Sequence, residues 1–175
     1  MISGITFDQQ AIKAEDMAHF MKTFSADANG ITRGCEITSD STNMYMTEGY
    51  LLIQGREIKI TGTQTIAFNK VTTGEQYCNI VIEIDLSKSN TETACNQLAI
   101  KTVASSSGYP ALTQQDLEDN PTGVYQYPLA QYHITSSGVD SFAAKAEEAD
   151  TTFMKEADFS AHFTLKNDTD LYITF

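Results

Sequence analysis

The chain has 175 residues, enough for one domain with a core that needs neither disulfide nor metal to fold. Its 11 basic and 23 acidic residues give a formal net charge of −12, and no two basic residues are adjacent. That excludes a surface built on Lys and Arg for nucleic acid or anionic membrane, and the 41% apolar, 19% charged composition excludes a disordered chain.

The opening MISGITFDQQ has neither a basic nor an apolar region, so no signal peptide is expected. The helical pattern comes next, over Ala14–Phe24. Met17, Phe20, Met21 and Phe24 recur at spacings of three and four, and Glu15 and Asp16 favour the first turn. This apolar face is expected to lie on a sheet, because the following sequence offers no second helix. Asn29-Gly30 marks the stop.

From Arg33 the period changes to two. Cys35 and Ile37, then Met44 and Met46, alternate with polar neighbours around Ser39-Asp40-Ser41. Tyr50–Ile53 reads as a buried strand, Gln54-Gly55 as a turn, Ile58 and Ile60 as the returning strand, and Thr63–Phe68 as another. Four or five short strands in a meander are predicted here. Gly49, Gly55, Gly62 and Gly74 stand singly at strand ends, where they serve turns rather than a phosphate loop.

Tyr77–Leu86 carries Ile80, Ile82, Ile84 and Leu86 on one face, the clearest strand of the chain. Glu83 and Asp85 interrupt it, so it cannot cross a bilayer. After a polar turn at Ser87–Thr93, Leu98, Ile100 and Thr102 complete an antiparallel hairpin. Loops follow at 104–110 and 119–123. Val124–Ile134 is a last core strand, and Pro128, lacking an N–H, places it at an edge or gives it a bulge.

Beyond Gly138, Val139, Phe142, Ala146, Ala149 and Phe153 fall at spacings of three and four, which predicts a short Ala-rich helix. It either packs on its own domain or forms an oligomerisation contact. Phe163/Leu165 and Leu171/Ile173/Phe175 alternate about Asn167-Asp168, a terminal hairpin. The expected fold is mainly β: an antiparallel sandwich or partly closed barrel over 1–137, then a helical and hairpin segment over 138–175.

The search for chemistry finds little. His19, His133 and His162 are the available bases, and none lies near a nucleophile signature. Asp116, Glu118 and Asp119, and Asp168 with Asp170, lack the ligand spacing of a known cation loop and read as solvated turns. Cys35, Cys78 and Cys95 are odd in number without a CxxC pair, and Cys78 and Cys95 fall at different ends of their hairpin, so all three read as reduced. No enzyme, cofactor or metal is expected.

Several segments in order resemble the N-terminal module of phage tail appendage proteins, the group of upper baseplate and receptor-binding proteins of Gram-positive phages. Ala14–Phe20 is similar to their opening helix and Asn29-Gly30-Ile31 to the "NGV" that follows. MYMTEGYLLIQGREIKI over 44–60 is similar to their strand, glycine, "I-x-G-R" run, and YCNIVIEIDL over 77–86 to their long hairpin strand. Pro110-Ala-Leu-Thr113 and Tyr125–Ala130 resemble their "P-x-L-T" and "Y-x-x-P-L-A" signatures. The resemblance covers about residues 14–135. It implies a β-rich attachment body in a virion tail or baseplate, made in the bacterial cytoplasm, commonly trimeric and docked to other tail proteins. It brings no catalytic residues. The alternative is a carbohydrate-binding module for host surface glycan, which needs exposed aromatics on one face, some of which Tyr109, Tyr125, Tyr127 and Tyr132 could provide.

Overall fold

A computed structural model of the chain describes residues 13–25, 28–150, 163–167 and 170–173. Phe153, His162 and Asp168 lie outside them. In chain order the elements are α1 (Ala14–Phe24), β1 (Gly30–Gly34), β2 (Ile37–Ser39), β3 (Asn43–Met46), β4 (Gly49–Ile53), β5 (Arg56–Ile60), β6 (Gln64–Ala67), β7 (Glu75–Asp85), β8 (Leu98–Ser105), β9 (Val124–Thr135), β10 (Gly138–Ala144), β11 (Phe163–Asn167) and β12 (Asp170–Ile173). They form antiparallel sheets in the orders β1-β4-β5, β2-β3-β6 and β10-β9-β7-β8, with β11-β12 as the terminal hairpin. The architecture is that of a β-sandwich, and no sheet among the described residues closes into a barrel. No helix among them is long and apolar enough to cross a membrane.

The meander predicted as four or five short strands exists as six, β1–β6, which run end to end as three bent arms. Residues 30–39 pair with 43–53, which pair in turn with 56–67. This ribbon folds across its middle, so its halves join different three-stranded sheets. The bend falls where Gly34 faces Gly49 and where Gly34 and Cys35 take positive φ of 63° and 56°. Hydrogen bonds from Cys35 N to Glu48 O and from Thr47 N to Glu36 O carry the pairing round the corner. A Cβ on Gly49 would stand 2.2 Å from Arg33 O, so only glycine lets the strands approach there. Gln54 and Gly55, both at positive φ, make the two-residue turn whose twist suits a hairpin.

One hydrophobic cluster draws on all three sheets. Cys78, Ile80, Ile82 and Ile84 of β7 lie beside Tyr127, Ala130, Tyr132 and Ile134 of β9, and Met44, Met46, Leu51, Ile53, Ile58 and Ile60 complete it. The alternation on β9 changes phase within the strand: Tyr125 and Tyr127 face Ile84 and Ile82, whereas Ala130 and Tyr132 face Ile80 and Cys78. A bulge supplies the extra residue beside Pro128, as proline's missing N–H leads one to expect. Pro128 also sits where the outer edge of β9 changes partner. Residues 113–115 bond to Val124 and Gln126 on one side of it, and β10 runs along Ala130–Thr135 on the other.

Residues 138–144 are a strand and not the predicted helix. β10 returns along β9 after a two-residue turn, so the expected boundary at 137/138 falls inside a hairpin. The spacing of three between Val139 and Phe142 has a different origin. A bulge at Asp140 inserts one residue, and both side chains then share the face of Ile134 and Tyr132. Beyond β10 the chain crosses to the other layer. Lys145 N and Ala146 N donate to Leu129 O, Ile31 N donates to Glu147 O, and Ala149 N donates to Ile31 O. Val139, Phe142 and Ala146 pack against the core of their own chain, and Phe142 meets Phe68 with ring centroids 5.9 Å apart.

The helix is where the sequence puts it, with a different face inward. Ala18 is buried while Met17 and Phe20 are 45% and 52% exposed. The helix backbone approaches Gly55 so closely that a Cβ there would lie 2.0 Å from Ala18 O. Two small residues allow that contact, and larger side chains point elsewhere.

Candidate functional site

Three polar arrangements on this frame are candidates for chemistry. The first joins α1 to the loop before β9. Lys22 Nζ lies 3.3 Å from both Asp116 and Glu118, and His19 Nδ1 pairs with Glu118. The carboxyl pKa of Asp116 is held down by the Glu118 backbone N–H and Lys22, that of Glu118 by His19 and Lys22. Asp116 and Glu118 thus share Lys22 of the same chain as a cationic partner.

The second arrangement is on the outer face of the four-stranded sheet. His133 stands between two carboxylates, Nδ1 at 3.2 Å from Asp140 and Nε2 at 3.0 Å from Glu75, and its ring stacks on Tyr77 at 4.5 Å between centroids. Hydrogen bonding to Asp140 and then to Glu75 raises its pKa against the opposing effect of burial. The folded pKa therefore lies above the unfolded value near 6.5. Stability from this cluster is complete below that value and is lost as pH rises through the raised folded pKa. The melting-temperature gap between wild type and His133→Gln is expected to be larger at about pH 6 than at about pH 8.5. A gap unchanged over that range would refute the assignment. Among the described residues no Ser or Cys hydrogen-bonds to His19 or His133, so a histidine-activated nucleophile is not assembled there. Cys35 and Cys78 are buried and their thiol pKa values raised by desolvation, whereas Cys95 is exposed in the β7–β8 connection.

The third arrangement is a cleft of ≈ 410 Å³ between α1, the β4–β5 turn and the 117–121 loop. Ala14, Ala18, Leu86, Leu117 and Pro121 give it aliphatic walls. Arg56, the first residue of β5, is its distinctive polar group. Sequence reading passed over Arg56 although a signal was present: it has the parity of Ile58 and Ile60, the inward face of its strand.

Comparison with known proteins adds one finding at this point. No family model and no curated protein matches the chain. Among solved structures it is similar to the crystal structure of the gene 22 product of the Bacillus subtilis SPP1 phage, with 11% identity and a TM-score of 0.42, over 69% of this chain and 85% of that one.

The four tyrosines Tyr109, Tyr125, Tyr127 and Tyr132 do not share one exposed face. Tyr132 and Tyr127 are buried in the core, Tyr125 packs against it, and Tyr109 alone of the four is exposed. Tyr109 meets Tyr77 edge-on, at 78° between ring planes, so the two rings do not offer one flat surface. This arises because the β9 tyrosines share the inward parity of the strand on each side of the bulge. Of the residues predicted for oligomerisation, Val139, Phe142 and Ala146 pack on their own core, and Ala149 is joined to β1 through its backbone.

Proposed function

We propose that the chain is a non-enzymatic structural protein of a phage or prophage tail or baseplate, mediating assembly and attachment of tail appendages. The observation that supports this reading most is where the resembling segments fall. The 44–60 run contains the ribbon's bend and its tight turn, 77–86 coincides with central strand β7, and 125–130 contains the β9 bulge. The Pro110–Thr113 segment ends on the β9 edge, where Gln126 N donates to Thr113 O at 2.7 Å. The motifs thus match positions that determine the fold, which is what a shared attachment body requires and what chance matches scattered over loops would not give.

Self-association, with a trimer as the form that the resemblance implies, belongs to the same reading. Its contacts would come from outer surfaces, since the side chains of Val139, Phe142 and Ala146 are occupied internally. Mass spectrometry of purified particles from the producing phage or induced prophage is expected to find the chain beside tail proteins, and antibody labelling to mark the tail end. Absence from intact particles would overturn the virion assignment. Light scattering of the purified chain at micromolar concentration is expected to give an oligomer, and a monomer would remove the self-association part.

A further inference from the structure

Arg56 is a cation on the inward face of a strand, in a cleft, without a carboxylate within 4 Å among the described residues. Its guanidinium has five N–H donors. One hydrogen bond satisfies them in part, from a terminal nitrogen to Gln54 O at 3.1 Å. Burial lowers its pKa and Glu15 partly offsets this, yet Glu15 itself is held by Lys13 at 3.3 Å. The other lysine of the cleft, Lys22, is neutralised by Asp116 and Glu118. A half-buried charge most of whose donors meet no described residue favours a ligand that supplies both charge and hydrogen bonds.

We propose that this cleft is a docking site for the side-chain carboxylate of an acidic residue on a partner protein, gripped by the Arg56 guanidinium. A carboxylate matches the planar fork in a bidentate pair. Glu15, Asp16 and Glu118 around the cleft oppose a more highly charged group such as a phosphate dianion. The walls contributed by Ala18, Leu86, Leu117 and Pro121 suit the methylene stem of a glutamate, and among the described residues no Phe or Tyr lines the cleft to stack on a sugar. The site stands on this geometry alone. Only the expectation that the partner is a tail protein rests on the proposed virion role.

The test is an NMR titration of the ¹⁵N-labelled full chain at constant ionic strength. The probe is N-acetyl-glutamate α-amide, with N-acetyl-glutamine α-amide as its neutral match and with glucuronate and methyl phosphate as the other anions. The expected result is a saturable shift of the Arg56 Nε–H signal and of the Gly55 and Leu117 amides, with a dissociation constant on the order of millimolar. Arg56→Gln weakens binding by roughly tenfold or more, and Glu15→Gln, which removes the internal carboxylate whose charge acts on Arg56, tightens it. Absence of saturation in both wild type and Glu15→Gln overturns the site, as does an equal response to the neutral amide. A stronger response to glucuronate or methyl phosphate overturns its assignment to a protein carboxylate. Absence of the chain from virions would leave this titration unaffected, so the two ideas fail separately.

Discussion

Tyr132→Ala is expected to lower the unfolding free energy by about 3–5 kcal/mol, the range for removing a large buried side chain. Tyr132 is fully buried in the C-terminal half of β9, between Cys78 of β7 and Phe142 of β10, and its ring centroid lies 4.5 Å from that of Phe68. Removal opens a cavity where the sheets meet, and the neighbouring strands are held by their own ladders and cannot collapse into it. Tyr132→Phe separates packing from hydrogen bonding. The phenol oxygen accepts from Asn69 N at 3.0 Å, so its loss leaves a part-buried backbone donor unsatisfied and costs about 1–3 kcal/mol. Urea denaturation measures both, with an unchanged m-value as the sign that the same state is unfolding. A loss below about 1 kcal/mol for the alanine variant would contradict this account of the core.

The second large effect concerns the seat of α1. Gly55 and Gly62 both have φ of +70°, so alanine at either pays the same left-handed backbone penalty of roughly 1–2 kcal/mol. Their surroundings differ. A Cβ at Gly62 meets nothing within 4 Å, whereas one at Gly55 would lie 2.0 Å from Ala18 O and 2.8 Å from Ala18 C. Those are backbone atoms, so relief requires the helix to move away from the β4–β5 turn. Gly55→Ala is therefore expected to cost about 2–4 kcal/mol in all, against roughly 1–2 for Gly62→Ala. Protease cleavage within 13–25 should also become faster in Gly55→Ala alone. Equal losses and equal cleavage at the two sites would mean that the helix does not bear on the turn.

Residues 14–24, 50–60, 77–86 and 98–102 could be assigned from local pattern because each has an unbroken period of its own. The terminal hairpin was legible for the same reason. β10 was not, because a bulge adds a residue to the count and turns a period of two into an apparent spacing of three between Val139 and Phe142. The polar sites were the least legible. His19–Glu118 and Lys22–Asp116 join residues 99 and 94 positions apart, and no local pattern encodes such a pairing. Arg56 could be seen to face inward, but the neutralisation of Lys22 in the same cleft could not.

Local sequence by itself determined the strand-rich class, the helix and the tight turn at Gln54-Gly55, and narrowed Pro128 to an edge or a bulge, since each follows from side-chain period or from what glycine and proline do to the backbone. Tertiary structure alone decided which face of α1 is buried, how one ribbon serves two sheets, and which charge in the cleft has no carboxylate within 4 Å among the described residues. Those outcomes depend on how closely distant backbones approach, as at Gly49 and Gly55, and that distance is set only when all the layers close on a single core.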